Sequence, residues 1–238
     1  MPTAWSPADL TDERVRRGFE AQLATRRSLL ADGAVGAGWK VGLTARPLLE
    51  KLGLNSFALG FLTDRGRLGD GDRHSLGGTS VPLAEAEVAL RIGTPPAAEP
   101  DLADAERSVA AAAAAIELVD IDRPMDDPTA ILAGNVYHRA FALGAWTSPD
   151  CLFGDDEVEL EIGIDGTTRE RSAWRDYAPG AGAVVRFVQS TLTALGLGLE
   201  PGDVILSGTL TRPLPIAPGN RVTVSSAYLG TIGIAVEK

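Results

Sequence analysis

Cysteine occurs once in the 238 residues, at Cys151, and histidine twice, at His74 and His138. One thiol cannot close an internal disulfide, and a thiol with two imidazoles falls short of a Cys/His zinc set. Any metal must therefore be held mainly by oxygen, which points to a hard cation: Mg²⁺ first, with Mn²⁺ or Ca²⁺ as alternatives. Basic residues are also scarce, 22 Lys and Arg against 32 Asp and Glu, for a net charge of −10. No run of Lys or Arg interrupts that excess, which argues against nucleic acid or an anionic membrane as a partner. No stretch reaches the roughly 20 apolar residues of a membrane span. The segment from Met1 to Pro7 lacks the basic and then apolar pattern of a secretory leader, so a soluble cytoplasmic protein is expected. There is no Ser/His/Asp elbow and no phosphate-cradling loop. Gly180-Ala181-Gly182 and Gly196-Leu197-Gly198 lack the downstream spacing of a dinucleotide fingerprint.

A hydrophobic content of 45% is enough for a sizeable core. The chain reads as one catalytic domain, 1–238, with a helical N-terminal segment over 1–35. Capping chemistry from Ser6 to Glu13 opens a helix whose apolar face carries Val15, Phe19, Leu23, Leu29 and Leu30 and which Gly33 ends. Gly36 to Thr44 reads as a turn entering a short strand, Pro47 to Leu54 as a short helix, and Asn55 to Thr79 as short strands and loops. Alanine content and an acidic start predict a helix over Leu102 to Ala115, followed by a strand over Ile116 to Ile121. Val158 to Ile164, Asp165-Gly166 and Thr167 to Arg171 form a hairpin signal. Ala183 to Leu195 is a helix; Asp203 to Leu206, Arg221 to Ser225 and Thr231 to Val236 are strands. Without strict βαβ repeats, this composition predicts an α+β protein built on a mixed or antiparallel roll.

The chemistry concentrates on acids in apolar surroundings. In Pro82-Leu83-Ala84-Glu85-Ala86-Glu87-Val88-Ala89-Leu90 the two glutamates are two apart, on one face of a strand and roughly 7 Å from each other. Glu117 lies in an apolar stretch downstream. Like charges crowded on an apolar sheet repel unless something positive lies between them, and a divalent cation answers that need; a solvated strand face fits the pattern equally well. Lys40, in a Gly-rich apolar stretch, is either a buried amine beside an anion or a strand-end anchor. Asp64 reads as a turn residue. Asn135, Ser207 and Thr209 offer polar groups at loop and strand ends, and His138 reads as a packed or surface residue or as a base.

The blocks GWKVGLT at Gly38 to Thr44, AEAEVAL at Ala84 to Leu90, IELVD at Ile116 to Asp120 and LSGTLTRPLPIAPGNRVTV at Leu206 to Val224 together resemble the fumarylacetoacetate hydrolase superfamily. Within it, the blocks are similar to the 2-keto-4-pentenoate hydratase and 4-oxalocrotonate decarboxylase branch. The resemblance implies a mixed β roll or distorted barrel flanked by helices, and a homo-oligomer that associates in some relatives with a pathway partner enzyme. It implies Glu85, Glu87 and Glu117 as ligands of Mg²⁺ or Mn²⁺, Lys40 and Asp64 as proton-handling residues, and Asn135, Ser207 and Thr209 as substrate contacts. The implied activity is that of a lyase in aromatic catabolism, acting on a small 2-oxo acid through an enolate. Hydration of a 2-oxopent-4-enoate is favoured over decarboxylation of a 4-oxalocrotonate-type or oxaloacetate-type acid, with C–C hydrolysis and a non-catalytic scaffold subunit as further alternatives. Two departures stand out. Phe57-Ala58-Leu59-Gly60 lacks the acid of the branch's Pro-Asp-aromatic-Gly stretch, and Gly134-Asn135-Val136-Tyr137 keeps only the asparagine of Asp-Asn-Ala-Ser.

Overall fold

A computed structural model describes residues 5–154, 157–177 and 180–238. The N-terminal residues 1–4, part of the expected helical segment and of the stretch read for a leader, lie outside that set. The elements are α1 (Glu13–Ala31), β1 (Gly36–Gly42), α2 (Arg46–Leu52), β2 (Ala58–Thr63), β3 (Arg67–Leu68), β4 (Arg73–Ser75), β5 (Pro82–Ile92), α3 (Leu102–Arg107), β6 (Val109–Asp120), α4 (Pro128–Ala133), β7 (His138–Leu143), β8 (Glu159–Ile164), β9 (Thr167–Ala173), α5 (Trp174–Tyr177), α6 (Ala181–Ala194), β10 (Val204–Leu206), β11 (Leu214–Pro215), β12 (Arg221–Ser226) and β13 (Gly230–Glu237).

The strands form two sheets. The larger is ordered β2-β1-β10-β5-β6-β7-β3, with β11 added to β5; the smaller is β4-β13-β12-β8-β9. β2 lies at one edge of the large sheet and β3, joined to it by Asp64–Gly66, at the other, so the sheet curls into a half-barrel with a seam between β2 and β7. Both sheets mix parallel and antiparallel pairs.

Local chemistry accounts for most boundaries. The Asp12 carboxylate caps α1, and Gly33 follows it at φ +83°. Asp165 and Gly166, at φ +54° and +76°, turn β8 into β9. Gly38 has φ +129°, and a Cβ there would lie 2.0 Å from the Val204 carbonyl oxygen, so only glycine lets β1 pair with β10.

The alanine run departs from expectation. The helix predicted over Leu102 to Ala115 stops at Arg107, and Val109–Asp120 is a 12-residue strand, almost wholly buried and flanked by β5 and β7. Ala112 and Ala114 face the smaller sheet, in one core with Val222, Val224, Ile232 and Ile234, whereas Ala113 and Ala115 face the concave side with Phe141, Leu143 and Leu206. Small side chains let the smaller sheet pack on one face of this strand and the large sheet curl closed over the other, and that packing outweighs alanine's modest helical preference.

Candidate metal centre

Along the concave face, β5 and β6 present paired rows. Ala89 opposes Ala113, Glu87 opposes Ala115, Glu85 opposes Glu117, and Leu83 opposes Val119. The sequence thus sets a closed apolar end, a belt of acids, and an apolar mouth. Directly opposed side chains have Cβ atoms about 5 Å apart, a spacing at which two carboxylates repel unless compensated. One ligand oxygen from each of Glu85, Glu87 and Glu117 lies within 4.8 Å of the others. Glu87 and Glu117 are fully buried, and Glu85 is partly exposed at the mouth.

Compensation comes from three directions. Lys40 Nζ lies 3.2 Å from Glu117 Oε1 and donates to the Val136 carbonyl at 2.9 Å. His138 Nδ1 lies 2.7 Å from the same Glu117 oxygen. The Gly208 N–H donates to Glu87 Oε2 at 2.8 Å. Burial drives the Glu85 carboxyl up to about 8, with Glu117 adding to the rise, and raises Glu87 well above the usual carboxylate range for the same reasons. For Glu117 burial also opposes ionisation, yet Lys40 and His138 outweigh it and hold this carboxyl below its ordinary value. Burial alone would depress Lys40, but Glu117, Glu85 and Glu87 together raise it. Without a metal, then, one ammonium cannot neutralise three carboxylates, and the proton affinity of Glu85 and Glu87 rises.

The donor set fits a hard divalent cation. Glu87 Oε1 and Glu117 Oε2 are buried and meet no donor apart from a neighbouring carboxyl's own proton. Three convergent carboxylate oxygens with orphaned positions are what Mg²⁺ or Mn²⁺ coordinates.

Above the belt lies a cavity of about 430 Å³. Lys40 and Glu85 are the charged groups among its described lining residues; Leu48, Leu83, Val119, Ile121 and Met125 give it an aliphatic wall. Leu43, Val136 and Tyr137 in that wall have φ of +57°, +52° and +65°. For a β-branched valine the left-handed region is costly, on the order of 1–3 kcal/mol, and such strain concentrates at functional sites. Here it turns the Val136 carbonyl toward Lys40.

The other expected site residues fall in different places. Thr209 lines the cavity, its hydroxyl donating to the Thr211 carbonyl. Ser207 is buried beneath it, accepting from the Val88 N–H and donating to the Gly208 carbonyl. Asn135 does not line this cavity: its carboxamide accepts from the Phe61 N–H and donates to the Phe61 carbonyl, at 2.8 and 2.9 Å. It therefore occupies the open edge of β2 as a neighbouring strand would. Asp64 is exposed and accepts from the Val35 N–H at 2.8 Å; it sits four residues past Gly60, the partner of Lys40, or roughly 13 Å along the strand. The structure does not bring Asp64 to the carboxylates.

His138 is the group that sequence pattern left undecided. A bulge between Leu118 and Val119 pairs His138, instead of Arg139, with Val119 and so moves the imidazole onto the face that carries Glu117. No alternation in the sequence signals it, because the extra residue breaks the period.

Among known proteins, the chain is 27% identical over 247 residues to 2-hydroxyhexa-2,4-dienoate hydratase of Comamonas testosteroni, covering 98% of this chain and 92% of that one. It is 25% identical over 227 residues to 4-oxalocrotonate decarboxylase of a Pseudomonas species, covering 93% and 86%. The solved structure of 4-oxalocrotonate decarboxylase from Pseudomonas putida G7, complexed with magnesium and adipate, superposes with a TM-score of 0.85 at 22% identity, covering 97% of this chain and 90% of that chain, and shares its fold. The fumarylacetoacetate (FAA) hydrolase C-terminal family matches residues 73–237, from β4 through the acidic belt to the end of β13. With a match over more than half its length and that family's fold, the chain belongs to the fumarylacetoacetate hydrolase family.

Proposed function

We propose that this chain is a single-domain, metal-dependent lyase that hydrates a small 2-oxo acid of the 2-hydroxypenta-2,4-dienoate type in aromatic catabolism, working as a homo-oligomer. The observation that carries the reading is the belt of Glu85, Glu87 and Glu117, with its orphaned buried oxygens, at the floor of an aliphatic cavity. These glutamates would hold Mg²⁺, or Mn²⁺ in its place. The ion, when bound, supplies Lewis-acid polarisation of a 2-oxo group.

The chain's own groups supply the rest. An ammonium has three donors; Lys40 spends them on Glu117 and the Val136 carbonyl and keeps one for an oxygen of the substrate. Buried against carboxylates it stays protonated, so it acts as a hydrogen-bond donor and proton source at the oxygen where charge develops. Thr209 borders the same space and orients the bound acid, and Ser207 fixes the backbone that presents the Gly208 N–H to Glu87. Asp64 has no place in this scheme, and Asn135 acts through Phe61.

The aliphatic wall favours hydration of a monoacid. A dicarboxylate such as 4-oxalocrotonate would set its far carboxylate against Val119, Ile121 and Met125, where the described lining residues offer no cation to meet it. Decarboxylation and C–C hydrolysis are the competing outcomes of the same enolate. Purified protein with Mg²⁺, assayed against 2-hydroxypenta-2,4-dienoate, 4-oxalocrotonate and oxaloacetate, separates them. Turnover of the dienoate, abolished in Glu85→Gln, is the expected result; preference for 4-oxalocrotonate reverses the assignment, and no turnover with any of them ends it.

A further inference from the structure

Past the acidic belt the cavity runs outward along β5 and β6. Leu83 and Val119 form the first row beyond the Glu85 and Glu117 pair. Val81 and Ile121, joined by the Ile121 N–H donating to the Val81 carbonyl at 3.1 Å, form the second. All four line the cavity, together with Leu48 and Met125. Residues two apart on a strand are separated by roughly 7 Å, so the second row stands roughly 13 Å from the belt. An extended five-carbon acid is only about 5 Å long, at about 1.2 Å per bond. With its acid end at the belt it reaches the first row and leaves the second uncovered.

That outer row is apolar although water reaches it: Val81 is 50% exposed and the neighbouring Met125 44%. The polar side chains of the described lining do not serve this end. Lys40 and Glu85 belong to the belt, the Tyr137 hydroxyl donates to the Pro124 carbonyl at 3.2 Å, and the Thr209 hydroxyl donates to the Thr211 carbonyl, which leaves Thr44 as the remaining hydroxyl. Aliphatic groups held open at the mouth of a site, and continuous with its inner wall, gain free energy when an apolar group covers them.

The geometry points to a tail subsite, in which Val81, Ile121 and Met125 cover an uncharged alkyl extension of the substrate. The 2-oxo acid this chain receives then carries about three or more carbons beyond the five of a 2-oxopent-4-enoate, the length that spans the second row. This assignment rests on the 2-oxo acid site proposed above and extends it: the belt holds the acid end, and the rows of β5 and β6 measure the tail.

Binding, measured by calorimetry with Mg²⁺ present, tests it without turnover. The probes are 2-oxopentanoate and 2-oxooctanoate, which share an acid end and differ by three methylenes. A methylene buried completely tightens binding about fourfold and one covered at a half-exposed row about twofold, so the longer acid should bind roughly eightfold tighter. Val81→Ser combined with Met125→Ser, both at exposed positions, should bring that ratio to about twofold or less. The ratio compares two ligands on one protein, so a smaller folded fraction does not imitate the effect. Equal affinities, no binding of either acid, or a ratio indifferent to the double substitution overturns the subsite. Hydration of 2-hydroxypenta-2,4-dienoate with equal affinities removes the subsite and leaves the lyase reading standing; a steep dependence on chain length without turnover of any dienoate does the reverse.

Discussion

Lys40 Nζ lies 3.2 Å from Glu117 Oε1, with both side chains sealed from solvent at 2% and 0% exposure. The two residues sit on β1 and β6, with β10 and β5 between them. Three strand spacings would separate them by roughly 14 Å in a flat sheet. The curl of the half-barrel, together with the length of the lysine, closes that gap. Gly60 and Gly42 leave room for it, since a Cβ on either would come within 3.2 Å of the lysine side chain. Several consequences of this pair and its surroundings can be measured.

Lys40→Met removes the ammonium that lies against Glu117, one of the proposed metal ligands. Turnover should fall by roughly 10²- to 10⁴-fold. Metal-free protein should lose on the order of 3–5 kcal/mol of stability, the cost of leaving a buried partner uncompensated. Mg²⁺ affinity, read by calorimetry, should rise, because a competing positive charge is gone. Weaker Mg²⁺ binding in a folded variant would place Lys40 among the groups that support the ion instead.

Metal binding should release protons between pH 5 and 8. The Glu85 carboxyl, raised to about 8 by burial and by Glu117, holds its proton in the metal-free fold. A folded-state value above the unfolded one stabilises the fold fully at pH below about 4.5 and progressively less as pH rises through 8. A cation offsets that loss by favouring the ionised form. The difference in melting temperature with and without Mg²⁺ should therefore grow from pH 5.5 to pH 8, and calorimetry in buffers of different ionisation enthalpy should show proton release. A difference that shrinks over this range contradicts the assignment of Glu85.

Asn135→Leu should act on stability. It strips the Phe61 N–H and carbonyl of their partners and places a leucine at φ +56°. A loss of roughly 2–4 kcal/mol is expected, read by denaturant unfolding. If the melting temperature holds while KM rises tenfold or more, Asn135 touches substrate instead.

Ile121→Arg puts a cation into the aliphatic wall. The ratio of kcat/KM for 4-oxalocrotonate to that for 2-hydroxypenta-2,4-dienoate should increase about tenfold, the effect of giving a buried carboxylate a partner. An unchanged ratio means the tail of the substrate lies elsewhere.

Part of the acidic belt is legible because strand alternation is local: Glu85 and Glu87 share a face whatever they pair with, and the core side is filled by Ala84, Ala86 and Val88, whereas Glu117 joins them through the register of β6 against β5 and is indicated only by the family resemblance. The Asp165-Gly166 hairpin and the capped first helix were legible for the same reason. The alanine run reads as helix because alanine's helical preference is a weak local bias, and Val109–Asp120 is a strand because the smaller sheet packs on one of its faces and the large sheet curls closed over the other. Asp64 and Asn135 matched polar positions that resemblance implied, but their partners are backbone groups at Val35 and Phe61, which no spacing along the chain indicates.

Residue order thus settled which acids point the same way and which segments turn, since both follow from steric periods of two or a few residues. The folded chain settled which of those groups meet. Lys40 reaches Glu117 across two intervening strands, one bulged residue turns His138 toward the same carboxylate, and the carboxamide of Asn135 completes an edge of the sheet. Each of these contacts joins segments far apart in sequence, and each depends on curvature and register, which arise only when the whole sheet is assembled.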